Sequence, residues 1–174
     1  AMNVTDNQTA IVRMTSLAAC IMVKQLGMDP VLQITCRDRN SLAIQGDVLG
    51  AVAFGIKKVL SLSGDHQKFG NHAGAKNVYD VDSIQLIDIV RRMRDDGKVV
   101  SGDEIDGVPR MFIGAAANPF GDPFAFRVTR LAKKIAAGVD FIQTQCIYNM
   151  DKFQEWMRRL VDQGLDRKVH ILAG

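Results

Sequence analysis

Val59-Leu60-Ser61-Leu62-Ser63-Gly64-Asp65-His66 is an apolar run that stops on a glycine and a carboxylate. Such a run reads as a buried strand that delivers Gly64 and Asp65 to its carboxyl end, where parallel α/β folds place their chemistry. Five further runs stop in the same way, at Thr5-Asp6, Thr35-Cys36, Ala117-Asn118, Gln143-Thr144-Gln145 and Ala173-Gly174. Strands are therefore expected at Met2–Thr5, Pro30–Thr35, Lys58–Leu62, Arg110–Ala116, Asp140–Thr144 and Lys168–Leu172. Most of these runs are too apolar to keep one face wet, as in a parallel sheet covered on both sides.

Gly27, Gly55, Gly97, Gly138 and Gly164 each fall between a helical stretch and the next strand run, where a helix ends in a left-handed residue. Apolar stripes at helical spacing support those stretches. They comprise Ile84, Ile87, Val90 and Met93 within Asp82–Arg94; Phe124, Val128, Leu131 and Ile135 between Pro123 and Ala137; and Phe153, Trp156, Met157, Leu160 and Val161 within Asp151–Gln163. Asp122 and Pro123 read as a helix N-cap followed by proline at the first helical position. The pattern is β-(αβ)5. Its longest strand-to-helix loop runs from Gly64 to Asp80, and loops of that length inside a domain are usually functional. A second insertion, Val99–Gly107, precedes a strand, on the stability face of a barrel, and is given no catalytic role.

Two α/β folds fit this pattern, an open doubly wound sheet and part of a (β/α)8 TIM-type barrel. No Gly-x-Gly-x-x-Gly fingerprint follows any strand, and polar residues mark every strand end rather than one switch point, which favours the barrel. A whole barrel takes about 250 residues. The 174 residues here, with about six strands and five helices, read as an incomplete barrel, a single partial catalytic domain over 1–174.

The chain is 47% hydrophobic with a net charge of +3, as expected for a globular protein with a real core. Arg91-Arg92 and Lys133-Lys134 read as solvated helix faces rather than a nucleic-acid stripe. Cys20, Cys36 and Cys146 are odd in number and lack CxxC spacing, which argues against a disulfide framework and for a reducing, cytoplasmic setting. No apolar stretch is long enough to span a bilayer.

Asp65 is expected at the barrel mouth, where a carboxylate stabilises a developing cation, accepts a proton or binds metal; the plainer reading is a loop cap. Of Gln143 and Gln145, one is expected to face the barrel interior and offer donor and acceptor to a heterocycle, the other to face away. Gln33 and Thr35 share a face. Asp65, His66 and His72 match no named metal spacing, so no metal site is assigned. His170 reads as structural, and no cysteine has the His/Asp neighbours of a thiol nucleophile. Lys134 gains interest only if a phosphate-bearing cofactor crosses the barrel top.

In this order the strand ends resemble the methylenetetrahydrofolate reductase family of flavin-dependent (β/α)8 barrels. The carriers are Asn3-Val4-Thr5-Asp6, Gln33-Ile34-Thr35-Cys36-Arg37-Asp38-Arg39-Asn40, Leu62-Ser63-Gly64-Asp65-His66, Asn77-Val78-Tyr79-Asp80, Gly114-Ala115-Ala116-Ala117-Asn118-Pro119 and Ala137-Gly138-Val139-Asp140-Phe141-Ile142-Gln143-Thr144-Gln145. The resemblance implies reduction of 5,10-methylenetetrahydrofolate to the 5-methyl form with bound FAD, or FMN as the alternative. NAD(P)H or a partner redox protein would supply electrons, and homo- and hetero-oligomers both stay open. Asp65 would act beside the flavin ring and Gln145 would contact folate. Thr5, Gln33, Ser63, Gly64, Tyr79 and Asn118 would fall at flavin-binding positions, and Lys134 at the cofactor's phosphates. Many members carry histidine in place of Gln33, arginine in place of Ser63 and tyrosine in place of Asn118. The family's glutamate general acid and its last strand have no counterpart in 1–174. Two other functions are weighed against the reductase: a non-catalytic flavin- or folate-binding subunit of an electron-transfer complex, and a metal-dependent barrel lyase or hydrolase using Asp65, His66 and His72.

Overall fold

The computed structural model of the chain describes residues 1–72 and 74–174. Six strands form one all-parallel sheet in sequential order: β1 (Met2–Val4), β2 (Pro30–Thr35), β3 (Lys58–Leu62), β4 (Phe112–Ala117), β5 (Phe141–Thr144) and β6 (His170–Leu172). Each crossover carries a helix: α1 (Ser16–Gln25), α2 (Ser41–Ala53), α3 (Ser83–Asp95), α4 (Phe124–Ala137) and α5 (Met150–Asp162). Winding never reverses, so there is no switch point, and the barrel-type topology holds over the doubly wound alternative.

The sheet curls strongly. Asn3 Nδ2 on β1 donates to Gln143 Oε1 on β5 at 2.9 Å. Four strand intervals in a flat sheet would separate those strands by roughly 19 Å. Only a deep trough lets the two side chains meet. Parallel register places Gln33, Leu60, Gly114, Phe141 and His170 side by side on the concave face. There the Phe141 ring fills the space that a side chain at position 114 would need. It also stacks on Phe112, with centroids 5.3 Å apart.

The main core lies on the convex side, between sheet and helices. Ile34, Val59, Ile113 and Ile142 from the strands meet Ile44, Val48, Ile87, Val90, Leu131, Trp156 and Leu160 from the helices. Asp82 caps α3 with a full capping box: its carboxylate accepts the Ile84 and Gln85 N–H groups, and the Gln85 side chain accepts the Asp82 N–H. All five expected helix-ending glycines have positive φ, from 62° at Gly164 to 109° at Gly138.

Three local expectations change. Pro123, not Asp122, occupies the N-cap position of α4, and no side chain caps that helix. Val161 is 52% exposed, because the buried stripe of α5 narrows to Trp156 and Leu160 with Phe153 and Met157 beside them. Lys134 is not part of a solvated face but is buried on the inner side of α4, 8% exposed. The Val99–Gly107 insertion forms a tight antiparallel turn closed by the Lys98–Glu104 bridge, ahead of β4 as expected. Among the described residues no helix is long and apolar enough to cross a membrane.

The Gly114–Phe141 contact generates a packing prediction. Gly114→Ala in the full-length protein should lower the urea midpoint by the equivalent of about 1–3 kcal/mol, the usual cost of overpacking. A compensating Phe141→Leu change should recover part of it. An unchanged midpoint for Gly114→Ala would mean that the ring does not occupy this space.

Candidate active site at the strand ends

At the carboxyl rim of the sheet a cavity of about 420 Å3 opens above the concave face. Thr5, Gln33, Ser63, Gly64, Asp65 and Gln145 all line it. Gln143 and Gln145 line it together, contrary to the expectation that they diverge: residues two apart on an extended chain share a face. Gln143 serves as floor. Its Oε1 accepts from Asn3, whose Oδ1 accepts Gln33 Nε2 at 3.2 Å, so three amides span the trough from β2 to β5.

Asp65 comes after a glycine for a steric reason. Gly64 has φ +86°, and a Cβ there would press on Arg37 Cβ at 3.0 Å and Thr35 Cβ at 3.1 Å. Asp65 is exposed, and its Oδ2 accepts the Thr9 N–H at 2.9 Å. It thus caps a neighbouring loop while lining the mouth. Tyr79 stands outside the cavity and supports it, its Oη donating to the Gly64 carbonyl at 3.3 Å.

Beneath the rim lies a buried ionic layer that the sequence reading did not assign. The Asp6 carboxylate is fully buried and accepts from Thr35 N (3.0 Å), Thr35 Oγ1 (2.9 Å) and a two-pronged Arg39 guanidinium (2.6 and 3.1 Å). Arg39 also reaches Asp47 on α2 at 2.7 Å. Arg37, 2% exposed, forks onto Asp38 and holds the latter's carboxyl below the usual carboxylate range. The available signal was charge density, since Arg37-Asp38-Arg39 follows a buried strand end directly and buried charges survive only when paired.

A second cavity of about 190 Å3 runs sideways from the mouth toward α4, sharing Leu62, Ser63, Ala116 and Gln145 as common wall. Its charged lining is wholly basic: Arg127, Arg130 and Lys134. Lys134 Nζ donates to the Ala116 carbonyl at 2.6 Å, and burial, with Arg130 adding like-charge repulsion, pushes its pKa down to about 8. Ser61 Oγ, buried in the same wall, has no partner among the described residues. Asn118 also lines this lobe and accepts the Phe120 N–H at 2.9 Å.

The histidines lie elsewhere. His66 Nδ1 accepts the Lys68 N–H, and His72 lines a small hollow with Asp38 and Lys76. Among the described residues no three His, Cys, Asp or Glu side chains cluster for a metal. Cys20 and Cys36 are buried, which pushes their thiols up to about 11 and about 12, while Cys146 is exposed.

The sequence model of the methylenetetrahydrofolate reductase family matches residues 1–174. A Caenorhabditis elegans protein named "Probable methylenetetrahydrofolate reductase (NADPH)" is 24% identical over 160 residues, covering 89% of this chain. The chain spans 22% of that relative's length. With a match that runs through every strand and both lobes of the cleft, this chain belongs to the methylenetetrahydrofolate reductase family.

Proposed function

We propose that this chain forms the greater part of the catalytic barrel of a flavin-dependent reductase acting on 5,10-methylenetetrahydrofolate. One observation carries the reading: two cavities adjoin at the rim across Leu62, Ser63, Ala116 and Gln145, one polar and carboxylate-bearing at the mouth, the other with a wholly basic charged lining that includes the buried Lys134. A flavin nucleotide has that polarity, a flat heterocycle at one end and phosphate at the other. The residues fit the group, since the lateral lobe offers a buried lysine, two arginines and the Ser61 hydroxyl, which has no partner among the described residues.

In this reading Lys134, with Arg127 and Arg130, holds the phosphate end. Thr5, Gln33, Ser63 and Gly64 line the ring's position, Tyr79 secures the Gly64 peptide, and Asn118 borders the phosphate lobe. Bound and reduced, a flavin supplies the hydride that converts the folate's methylene carbon to a methyl group. Asp65 places a negative charge beside the mouth, which favours the cationic iminium form of the folate. Gln145, on the wall common to both lobes, offers donor and acceptor to the pterin. FAD is the cofactor that the family resemblance suggests, with FMN as the alternative, and NADPH is the donor that the relative's name suggests.

The visible spectrum of the purified full-length protein tests the reading. A bound flavin whose reduced form is rapidly reoxidised by methylenetetrahydrofolate is expected. A colourless protein holding stoichiometric zinc would overturn it in favour of a metal-dependent lyase or hydrolase. A flavin that folate leaves reduced would favour a binding subunit.

Two variants sharpen this. Asp65→Asn should slow reoxidation by roughly 10²-fold while flavin affinity changes less than about threefold. Equal loss of both would make the residue structural. Lys134→Met should weaken flavin binding about tenfold at pH 7, the scale of one charge-assisted hydrogen bond. Because Lys134 loses its proton near pH 8, wild-type affinity should fall as pH rises through about 8, and the variant should lose that dependence. The same depressed pKa means that burying the charged lysine destabilises the unliganded fold below about pH 8, with relief as pH rises toward the unfolded value of 10.5. A Lys134→Met variant that binds flavin as tightly as the wild type at pH 7 would remove Lys134 from the phosphate site.

A further inference from the structure

Asp65 is exposed, so packing does not choose its direction. Hydrogen bonds must, and they lead to one side chain. The Arg37 guanidinium donates from Nη1 to the Asp65 carbonyl at 3.1 Å and from Nη2 to the Asn7 carbonyl at 3.0 Å. Asn7 precedes Thr9 by two residues, and Thr9 N–H is the donor to Asp65 Oδ2 at 2.9 Å. The contacts close a ring: guanidinium, Asn7 carbonyl, Thr9 amide, Asp65 carboxylate, Asp65 carbonyl and back to the guanidinium.

The segment so held is strained. Asn7, Thr9 and Ala10 have φ of 45°, 57° and 55°; asparagine adopts this left-handed region readily, whereas Thr9 and Ala10 are held there at a cost. Asp38 fixes the guanidinium itself through a fork of 2.7 and 2.6 Å, and neutralises its charge. The remaining action of Arg37 on Asp65 is therefore directional. Only a planar fork can grip Asp38 and reach two carbonyls on separate loops at once.

We propose that Arg37 is a positioning residue for Asp65: by holding the Asn7 and Asp65 carbonyls it commits Oδ2 to Thr9 and leaves Oδ1 facing the mouth. This rests on the reductase reading, in which the carboxylate must face flavin and folate with little freedom.

The test uses Arg37→Lys in the full-length, flavin-loaded protein. Lysine keeps the charge beside Asp38 but cannot span both carbonyls. Hydrogen exchange in the peptide covering residues 7–12 should rise about tenfold, with strand amides unchanged. The maximal rate of flavin reoxidation by methylenetetrahydrofolate should fall about tenfold, while the folate KM and flavin affinity stay within about threefold. If Arg37→Lys does not fold, Arg37→Gln, which leaves only the partly exposed Asp38 without its charged partner, cannot span both carbonyls and should move both readouts in the same direction. Unchanged exchange in residues 7–12, or a folded variant that reoxidises at the wild-type rate, would overturn the proposal. A wild-type protein without flavin would sink the reductase reading instead, and the exchange measurement would still decide whether Arg37 sets the Asp65–Thr9 contact.

Discussion

A parallel sheet that winds in a single direction brings the carboxyl ends of all its strands to one rim. In this chain the apolar runs are short, and the polar residues that end them have nowhere else to go. Curling then brings the rim together, so that residues 140 positions apart, Asn3 and Gln143, share a hydrogen bond. The cleft, its two lobes and the ionic layer beneath it all follow from that convergence. Each strand end contributes little alone: a threonine, a glycine with an aspartate, an amide.

The rim is also where the protein concentrates its charge problem. Asp6 and Arg37 are buried near the ends of β1 and β2, and an unpaired charge in such a place would be very costly. Pairing resolves the cost and specifies shape, because Arg39 ties the β1 end to α2 while Arg37 ties the first three strand-to-helix loops together. On the far side, near α4, the balance is different. Lys134 is buried with a carbonyl rather than a carboxylate as partner, and Arg130 stands near it. That imbalance of positive charge separates an anion-seeking lobe from a self-neutralised one.

Much of this architecture was legible in the sequence because strand and helix signals are local. The terminal glycines, the capping box at Asp82 and the strand runs needed no knowledge of neighbours. Legibility failed where an outcome depended on another element. Lys134 looked solvated because lysine usually is, and only the β4 carbonyl opposite it reveals a buried role. Val161 obeyed the helical spacing but lay beyond the width of the contact surface. Asp6 and Arg37 were visible as charges, but the partners of Asp6 come from β2 and the loop after it, and the two carbonyls that Arg37 holds come from other loops. Gln143 and Gln145 needed only the two-residue period of a strand, and there the structure corrects the reading on simple geometry.

The amides that floor the trough have a direction. Asn3 donates toward β5 and accepts from β2, so its two neighbours are left with opposite characters. Gln143 retains its NH2 group and Gln33 retains its carbonyl oxygen. The floor is therefore a donor on the β5 side and an acceptor on the β2 side. A planar guest with an acceptor along one edge and a donor along the other matches this floor one way up and opposes it when turned over. Three uncharged side chains thus give the barrel interior a sense of left and right, and with it a means of choosing which face of a flat molecule meets the mouth.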